Sequence, residues 1–286
     1  MTFRTSVTRR RALLAGGLFV FLTVTAAGAE KVQEGAGGKL AIRPLDEKAW
    51  KCEVADVEKV LYSAASELWR YFPERQLPLI EVRPKGGPIV LYERGPKGEI
   101  RVRLDTGENL WAQMAFQFAH EFTHILCCYD EKHQETKWFE ESICELASLF
   151  VLHRMAQTWQ TNPPYRNWKS YAPALGKYAD ERIAKAKLPE GKTLPQWYAE
   201  NAAALRSNAT DRPRNCIVAG VLLPLFEAQP EAWEAVQHLN TEAFPDRYTF
   251  AEYLKAWQRH CPEKHRAFVA RIGKEFGVEL PGAEGK

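Results

Sequence analysis

The sequence predicts an α+β fold: one helix and a small antiparallel sheet, then a central helix, then a mostly α-helical C-terminal half. Three observations support this. An early segment has the 3.6-residue period of an amphipathic helix, three strand-like runs separated by Gly and Pro turns follow it, and nearly every later segment is helical in period. The chain has 286 residues, 45% of them hydrophobic, which is enough to bury a substantial core.

The first 29 residues have the features of an export signal. Four arginines precede an apolar run over residues 12–27, and a small-x-small cleavage site ends at Ala29. We expect cleavage after Ala29 and a periplasmic or extracellular protein, exported by the general secretory route or, because of the three arginines at 9–11, by the twin-arginine route. The apolar run is shorter than the roughly 20 residues of a membrane span, so we expect no membrane insertion after cleavage.

The balance of charge excludes one class of partner. The chain has 39 Lys and Arg and 36 Asp and Glu side chains, and residues 1–29 contribute four of the arginines and none of the acids. The exported part is therefore close to neutral, and it contains no block of like charge. We expect no nucleic-acid partner.

Cysteine content bounds the redox chemistry. Six cysteines in an exported chain permit up to three disulfides, and the sequence leaves their pairing open. Cys127 and Cys128 are adjacent, so we expect one to face a partner and the other to pack. The absence of a Cys-x-x-Cys motif argues against a thiolate zinc site.

The first half of the chain is expected to contain a lead-in and an α/β subdomain. Residues 30–45 are rich in glycine, and we expect them to be flexible. The α/β subdomain covers residues 46–130 and begins with an amphipathic helix over 56–72, which Pro73 ends.

Three strand-like runs then predict the sheet, over residues 77–83, 88–94 and 99–105. The last run alternates cleanly, with Ile100 and Val102 on one face and Arg101 and Arg103 on the other. This pattern indicates an antiparallel sheet with one solvated face.

The central helix is predicted over residues 110–127 and is apolar on most sides. Gln113, Gln117, His120 and His124 form a narrow polar stripe along it, at intervals of four, three and four. A buried helix must satisfy such polar groups, and a metal or a substrate would do so.

The second half is predicted to be a helical subdomain over residues 131–280, followed by a tail over 281–286. Its segments are separated by turns, most of which contain proline. Helices are predicted over residues 138–155, 171–187, 193–206, 215–228, 231–239, 249–260 and 263–276.

The segment His120-Glu121-Phe122-Thr123-His124 carries the chemistry. Histidines four apart lie one turn apart on the same face of a helix, so His120 and His124 can donate to one metal ion. Glu121 stands beside them, where a carboxylate can take a proton from an attacking water. The alternative is a pair of satisfied core histidines with no metal.

A third protein ligand is needed, because a catalytic zinc takes three and keeps one position for water. Asp130 is nearest in sequence, but a ligand there requires a glycine at the preceding sharp turn, and Cys127 occupies that position. His133 lies in the connecting loop, and we expect it to be solvated.

Glu140 and Glu141 are the remaining candidates, near the start of the next helix. Glu145 follows Glu141 by four residues on the same face, so Glu141 can bind the metal while Glu145 accepts a hydrogen bond from a ligating histidine. Glu140 has no such companion, and we expect it to point elsewhere.

Residues 120–124, HEFTH, followed by residues 138–145, WFEESICE, resemble the gluzincin metallopeptidases, which include thermolysin-like and aminopeptidase-like enzymes. The resemblance covers roughly Ile89 to Ser148, and no subfamily is identified. It implies a zincin-like fold, one Zn²⁺ per chain, a substrate backbone held by the strand before the helix, and an oxyanion donor from a Tyr or His of the helical half. It also implies that His120, His124 and Glu141 are zinc ligands, that Glu121 is the general base and that Glu145 is the supporting carboxylate.

The resemblance implies an exported zinc-dependent metallopeptidase that hydrolyses peptide bonds of a peptide or protein substrate. Two alternatives stay open: a non-catalytic zincin-fold binding or scaffold protein, and a zinc amidase that acts on a cell-wall amide. The sequence leaves the oligomeric state and the cleavage preference undetermined. It also leaves the oxyanion donor open among Tyr165, Tyr171, Tyr198, His238, Tyr253 and His260.

Overall fold

The structure is a computed structural model that describes residues 32–35, 38–129, 133–244 and 247–282. The predicted export signal, Asp130 and the end of the predicted tail lie outside the described residues. The chain from Lys31 to Lys286 forms one compact unit, and both predicted subdomains lie within it. In the part of the chain that the structure describes, no helix combines the length and the apolar character needed to cross a membrane.

In the described part of the chain, five strands form one mixed sheet in the order β1-β2-β3-β5-β4. The strands are β1 (Val32–Gly35), β2 (Gly38–Pro44), β3 (Ile80–Arg83), β4 (Ile89–Val90) and β5 (Ile100–Arg103). The pairs β2–β3 and β3–β5 are parallel, whereas β1–β2 and β4–β5 are antiparallel. The prediction of an antiparallel sheet is therefore wrong for its two central pairs. A helix lies between β2 and β3 in sequence, and such a crossover lets neighbouring strands run in the same direction.

The predicted flexible lead-in is also corrected. Residues Gly38–Pro44 form β2, which pairs with β3 in the sheet. Leu40 and Ile42 are 2% and 4% exposed, so this strand contributes to the core. The predicted alternation of β5 is confirmed, since Ile100 and Val102 are buried.

Within the described residues, eight α-helices correspond to predicted segments. They are α1 (Val54–Trp69), α2 (Trp111–Leu126), α3 (Lys137–Thr161), α4 (Ala172–Lys185), α5 (Leu194–Ser207), α6 (Arg212–Ala228), α7 (Phe250–His260) and α8 (Glu263–Glu275). Helix α3 extends six residues beyond its predicted end at 155. The segment predicted as a helix over 231–239 is a 3₁₀ helix, Pro230–His238. The coarse α+β class is therefore as predicted.

Helix α3 lies at the centre of the unit, where α1, α2, α4 and α6 pack around it. Its N-terminal turn enters an aromatic cluster in which Phe139 contacts Phe250, Tyr253 and Phe276, with ring centroids 5.0 to 6.2 Å apart. Aromatic side chains bury large areas in defined geometries. This packing fixes the turn of α3 that follows Phe139 against α2.

Candidate metal centre

Helix α2 divides its polar stripe between two tasks. The side-chain amides of Gln113 and Gln117 donate to the carbonyl oxygen of Asp105 at 3.1 Å. This half of the stripe therefore supplies hydrogen bonds to the segment that connects β5 to α2. His120 and His124, one turn further on, have ring centroids 5.1 Å apart. The predicted pairing of these two imidazoles on one face of the helix is therefore confirmed.

Helix α3 brings Glu141 to both histidines. Oε2 of Glu141 is 3.2 Å from Nε2 of His120, and Oε1 is 3.6 Å from Nε2 of His124. Oε2 of Glu145, one turn later, is 3.6 Å from Nδ1 of His120. The three groups expected to bind the metal thus meet at one point, and Glu145 stands behind His120.

The expectation that Glu140 points elsewhere is wrong. Its side chain is 1% exposed, and Nδ1 of His124 donates to its Oε1 at 2.5 Å. Lys137 donates to the same oxygen at 2.9 Å, and the amide of Asn240 donates to Oε2 at 2.8 Å. Asn240 follows Glu140 by 100 positions, so no local spacing could have indicated this companion.

These contacts define which nitrogen of each histidine is available. Glu145 and Glu140 face the Nδ1 atoms of His120 and His124. A carboxylate at Nδ1 holds the proton there and leaves Nε2 as the electron-pair donor. Both Nε2 atoms face Glu141, which gives a nitrogen, nitrogen and oxygen donor set.

Cys144 offers a different third donor. The possible ligand atoms of His120, His124 and Cys144 all lie within 4.8 Å of one another. Cys144 is fully buried, its thiol contacts that of Cys127, and burial raises the pKa of both thiols. Among the described residues the cleft is lined by Glu141 and not by Cys144. Because a catalytic metal keeps one position open to water, the set completed by Glu141 is the one suited to catalysis.

The charge of the site suits a divalent cation. Burial disfavours the charged form of His120, but hydrogen bonds to Glu141 and Glu145 outweigh this effect and raise its pKa to about 9. The pKa of His124 is raised to about 10, because bonds to Glu140 and Glu141 outweigh its burial in the same way. Burial raises the pKa of Glu141, and the two histidines lower it by more. A divalent cation at the Nε2 atoms would take the place of the two protons.

A cleft of about 220 Å³ opens over the donor set, and Glu121 lines it with 3% of its surface exposed. One wall follows β4, where Ile89 and Tyr92 are 45% and 48% exposed. Cys128 adopts φ of 55° after the end of α2, and the next residue, Tyr129, lines the cleft. The rings of Tyr129 and Tyr92 stack with centroids 5.4 Å apart.

The cleft is also lined by Arg212 and Asn215, at the start of α6, and by Thr210, which precedes this helix. One turn into this helix, the Cys216 thiol donates to Oε1 of Glu145 at 2.9 Å. None of these side chains was predicted from the sequence to lie at the site. They come from a helix about 70 positions beyond the motif, and only the packing of α6 on α3 brings them to the cleft.

The other sequence candidates lie elsewhere. His133 is 3% exposed rather than solvated, and its Nε2 donates to the carbonyl oxygen of Glu242 at 2.7 Å. The tyrosines that line the cleft are Tyr92 and Tyr129, which precede the helical half. Among the described residues, the cleft is lined by none of the six side chains considered as oxyanion donors, Tyr165, Tyr171, Tyr198, His238, Tyr253 and His260.

Each of the six cysteines is a free thiol, and all six belong to the described part of the chain. Cys127 is buried against Cys144, so the packing expected for one of the adjacent pair is observed. Cys128 is exposed, and neither of the two forms a disulfide, so the partner expected for the other is not observed. The sulfur of Cys128 accepts a hydrogen bond from the Arg75 guanidinium at 3.1 Å.

Comparisons of the chain with protein-family models, with curated proteins and with solved structures find no match. The resemblance to gluzincins therefore rests on residues 120–124 and 138–145 of the sequence. Any functional conclusion depends on those residues and on the geometry of the cleft.

Proposed function

We propose that this chain is an exported zinc-dependent metallopeptidase of the gluzincin type. The observation that carries the proposal is the meeting of Nε2 of His120 and Nε2 of His124 on the Glu141 carboxylate, at the floor of an open cleft. Two imidazole nitrogens and one carboxylate oxygen are a donor set that zinc takes in hydrolases. When bound, a zinc ion supplies a Lewis acid that polarises a carbonyl group and makes water nucleophilic near neutral pH.

The protein side chains divide the remaining tasks. Glu140 accepts a hydrogen bond from Nδ1 of His124, and Glu145 faces Nδ1 of His120, so the two carboxylates hold both Nε2 atoms toward the cleft. Glu121 accepts a proton from the attacking water at its carboxylate and returns it to the nitrogen of the departing amine. These roles account for each buried carboxylate that surrounds the two histidines.

The sheet edge supports a peptide as the substrate. β4 is the last strand of the sheet and pairs with β5 on one side. Its other side offers main-chain N–H and C=O groups along the cleft wall that Ile89 and Val90 form. An extended peptide can add to such an edge as a further strand, which holds its main chain across the donor set.

The experiment that tests the proposal combines metal analysis with Glu121→Gln. We expect the variant to keep about one zinc per chain, because Glu121 is not a ligand, and to lose hydrolysis by about 100-fold or more. Casein and muropeptides serve as substrates, so that a peptidase is separated from an amidase that acts on a cell-wall amide. Glu190→Gln, an exposed carboxylate outside the cleft, is the matched control.

Two results would contradict these assignments. Loss of zinc from Glu121→Gln would make Glu121 a ligand, and unchanged hydrolysis would remove it from the mechanism. A wild-type protein that binds zinc but cleaves neither substrate would favour the non-catalytic zincin-fold protein.

A further inference from the structure

Arg212 is a cation in the cleft that pairs with no other described side chain. It is the first residue of α6, it is exposed, and within the described part of the chain it forms no ion pair or hydrogen bond. The other cation that lines the cleft, Lys137, donates to the buried carboxylate of Glu140 at 2.9 Å. Arg212 is thus the basic group of the cleft that stays available to a ligand.

The position of Arg212 relative to the donor set follows from helix geometry. Cys216 lies four residues after Arg212 on the same face of α6, about 6 Å further along the axis. The Cys216 thiol is 2.9 Å from Glu145, which is 3.6 Å from His120. An extended peptide advances about 3.3–3.6 Å per residue. The path from Arg212 to His120 through these groups is about 12 Å, so a group bound by Arg212 would lie within about four residues of the bond held at the donor set.

Local structure gives no reason for an arginine at this position. The first turn of a helix carries partial positive charge, so a cation is disfavoured there. Asp211, the adjacent acid, accepts hydrogen bonds from the backbone N–H and the guanidinium of Arg214. Arg212 therefore stands at an unfavourable site with its neighbouring carboxylate already engaged, which points to a role in binding an anion.

We propose that Arg212 binds a carboxylate of the substrate, within about four residues of the scissile bond. This inference rests on the function proposed above and names its substrate class: short peptides that carry either a free C-terminal carboxylate or an acidic side chain at that distance. Guanidinium groups bind carboxylates through two parallel hydrogen bonds. The cleft is also lined by Ile89 and Tyr92, which suit an apolar side chain on the same substrate. The cleft volume of about 220 Å³ suits a short segment, since pockets for drug-sized ligands measure about 300–1,000 Å³.

The test uses matched peptides with the zinc-loaded protein. One pair differs only in a C-terminal acid or amide, and a second, amidated pair differs only in Asp or Asn beside the cleaved bond. We expect wild type to prefer one or both acidic members by about 10- to 100-fold in kcat/KM, mainly through KM, as for a hydrogen bond between charged groups. Arg212→Gln should lose this preference and Arg212→Lys should keep part of it. Arg166→Gln, an exposed arginine outside the cleft, should keep all of it.

The two pairs separate the source of the carboxylate. A preference in the first pair assigns the C-terminal carboxylate, and one in the second assigns a side chain. Equal rates within both pairs would overturn the inference while the peptidase function stood. An equal fall of kcat for all four peptides in Arg212→Gln would also overturn it, because it would assign Arg212 to the transition state.

A binding measurement keeps the inference testable if no peptide is cleaved. The zinc-loaded Glu121→Gln protein is titrated calorimetrically with the same four peptides. The measurement is repeated with the double variant that carries both Glu121→Gln and Arg212→Gln. Tighter binding of an acidic peptide that disappears in the double variant supports the inference even where peptide hydrolysis fails. Equal binding within both pairs, or no binding of any peptide, overturns it.

Discussion

Glu140 and Glu145 each hold one of the two histidines of α2, and Glu141 stands between them at both Nε2 atoms. Three carboxylates on little more than one turn of α3 thus have different roles at the two histidines. The difference comes from which ring nitrogen each one faces. Glu141 faces the atoms that can donate electron pairs to a metal, whereas the other two face the atoms that carry protons.

Substitutions at these three carboxylates should rank by that difference. We expect Glu141→Ala to abolish stoichiometric zinc binding, because it removes a ligand. Glu140→Gln and Glu145→Gln should weaken zinc binding by about 10- to 100-fold each, since the amide still accepts a hydrogen bond but lacks the charge. Competition with a chromophoric chelator measures all three affinities. A greater loss in Glu140→Gln than in Glu141→Ala would transfer the ligand role to Glu140.

For individual residues, the sequence predicted the contacts that follow from spacing along one helix. His120, Glu121 and His124 lie on one helical face, and the structure brings the first and last of them to Glu141 as expected. Glu140 was misjudged because its partner Asn240 comes from a distant segment. Arg212 was missed for the same reason, because no spacing relates it to the motif.

Helix α3 also joins two other helices through a single imidazole. Nδ1 of His153 lies 2.7 Å from a carboxylate oxygen of Glu227 on α6, and Nε2 lies 3.2 Å from Asp180 on α4. The hydrogen bond to Glu227 outweighs the opposing effect of burial and, with the charge of Asp180, raises the pKa of His153. This contact lies outside the cleft.

The raised pKa predicts how this contact depends on pH. The folded state binds the proton more tightly than the unfolded chain, so the stabilisation is complete below the unfolded pKa of about 6.5 and is lost as pH rises through the folded pKa. We expect the free energy of unfolding to fall between pH 6 and pH 9 by about 0.2–1 kcal/mol more in wild type than in His153→Gln, because Asp180 is 72% exposed. Urea unfolding of the zinc-saturated proteins measures it, since bound zinc keeps the cleft histidines from taking protons. Equal pH dependence would show that folding does not raise the pKa of His153.

The elements themselves were easier to predict than their arrangement. Helical periodicity gave α1 to α8 almost within their observed bounds, because one buried face imposes that period whatever lies opposite. Strand alternation shows which face of a strand is buried but not which strand it pairs with or in which direction, so the parallel pairs β2–β3 and β3–β5 were missed. The glycines at 35, 37 and 38 concealed β2, since glycine weakens the pattern that marks a strand.

In the whole molecule the donor set joins two halves of the chain. His120 and His124 belong to the helix that follows the sheet, and Glu141 belongs to the first turns of the helical half. The wall residue Arg212 comes from a third segment, on α6. A ligand of this cleft therefore contacts parts of the compact unit that are far apart in sequence, and its binding should be coupled to the folding of the whole unit.

This coupling predicts that removing the metal destabilises the whole unit. A ligand at about 1,000 times its Kd stabilises the folded state by about 4 kcal/mol, and a domain of this size loses about 2–4 °C in Tm per kcal/mol. We expect a chelator to lower the Tm by about 8–16 °C, toward the low end because protonated histidines still pair with Glu140, Glu141 and Glu145 when the metal is absent. Scanning calorimetry measures the shift, and Glu141→Ala should show none on adding zinc. An unchanged Tm in wild type from which the metal is shown to be removed would place the bound ion outside the contact between α2 and α3.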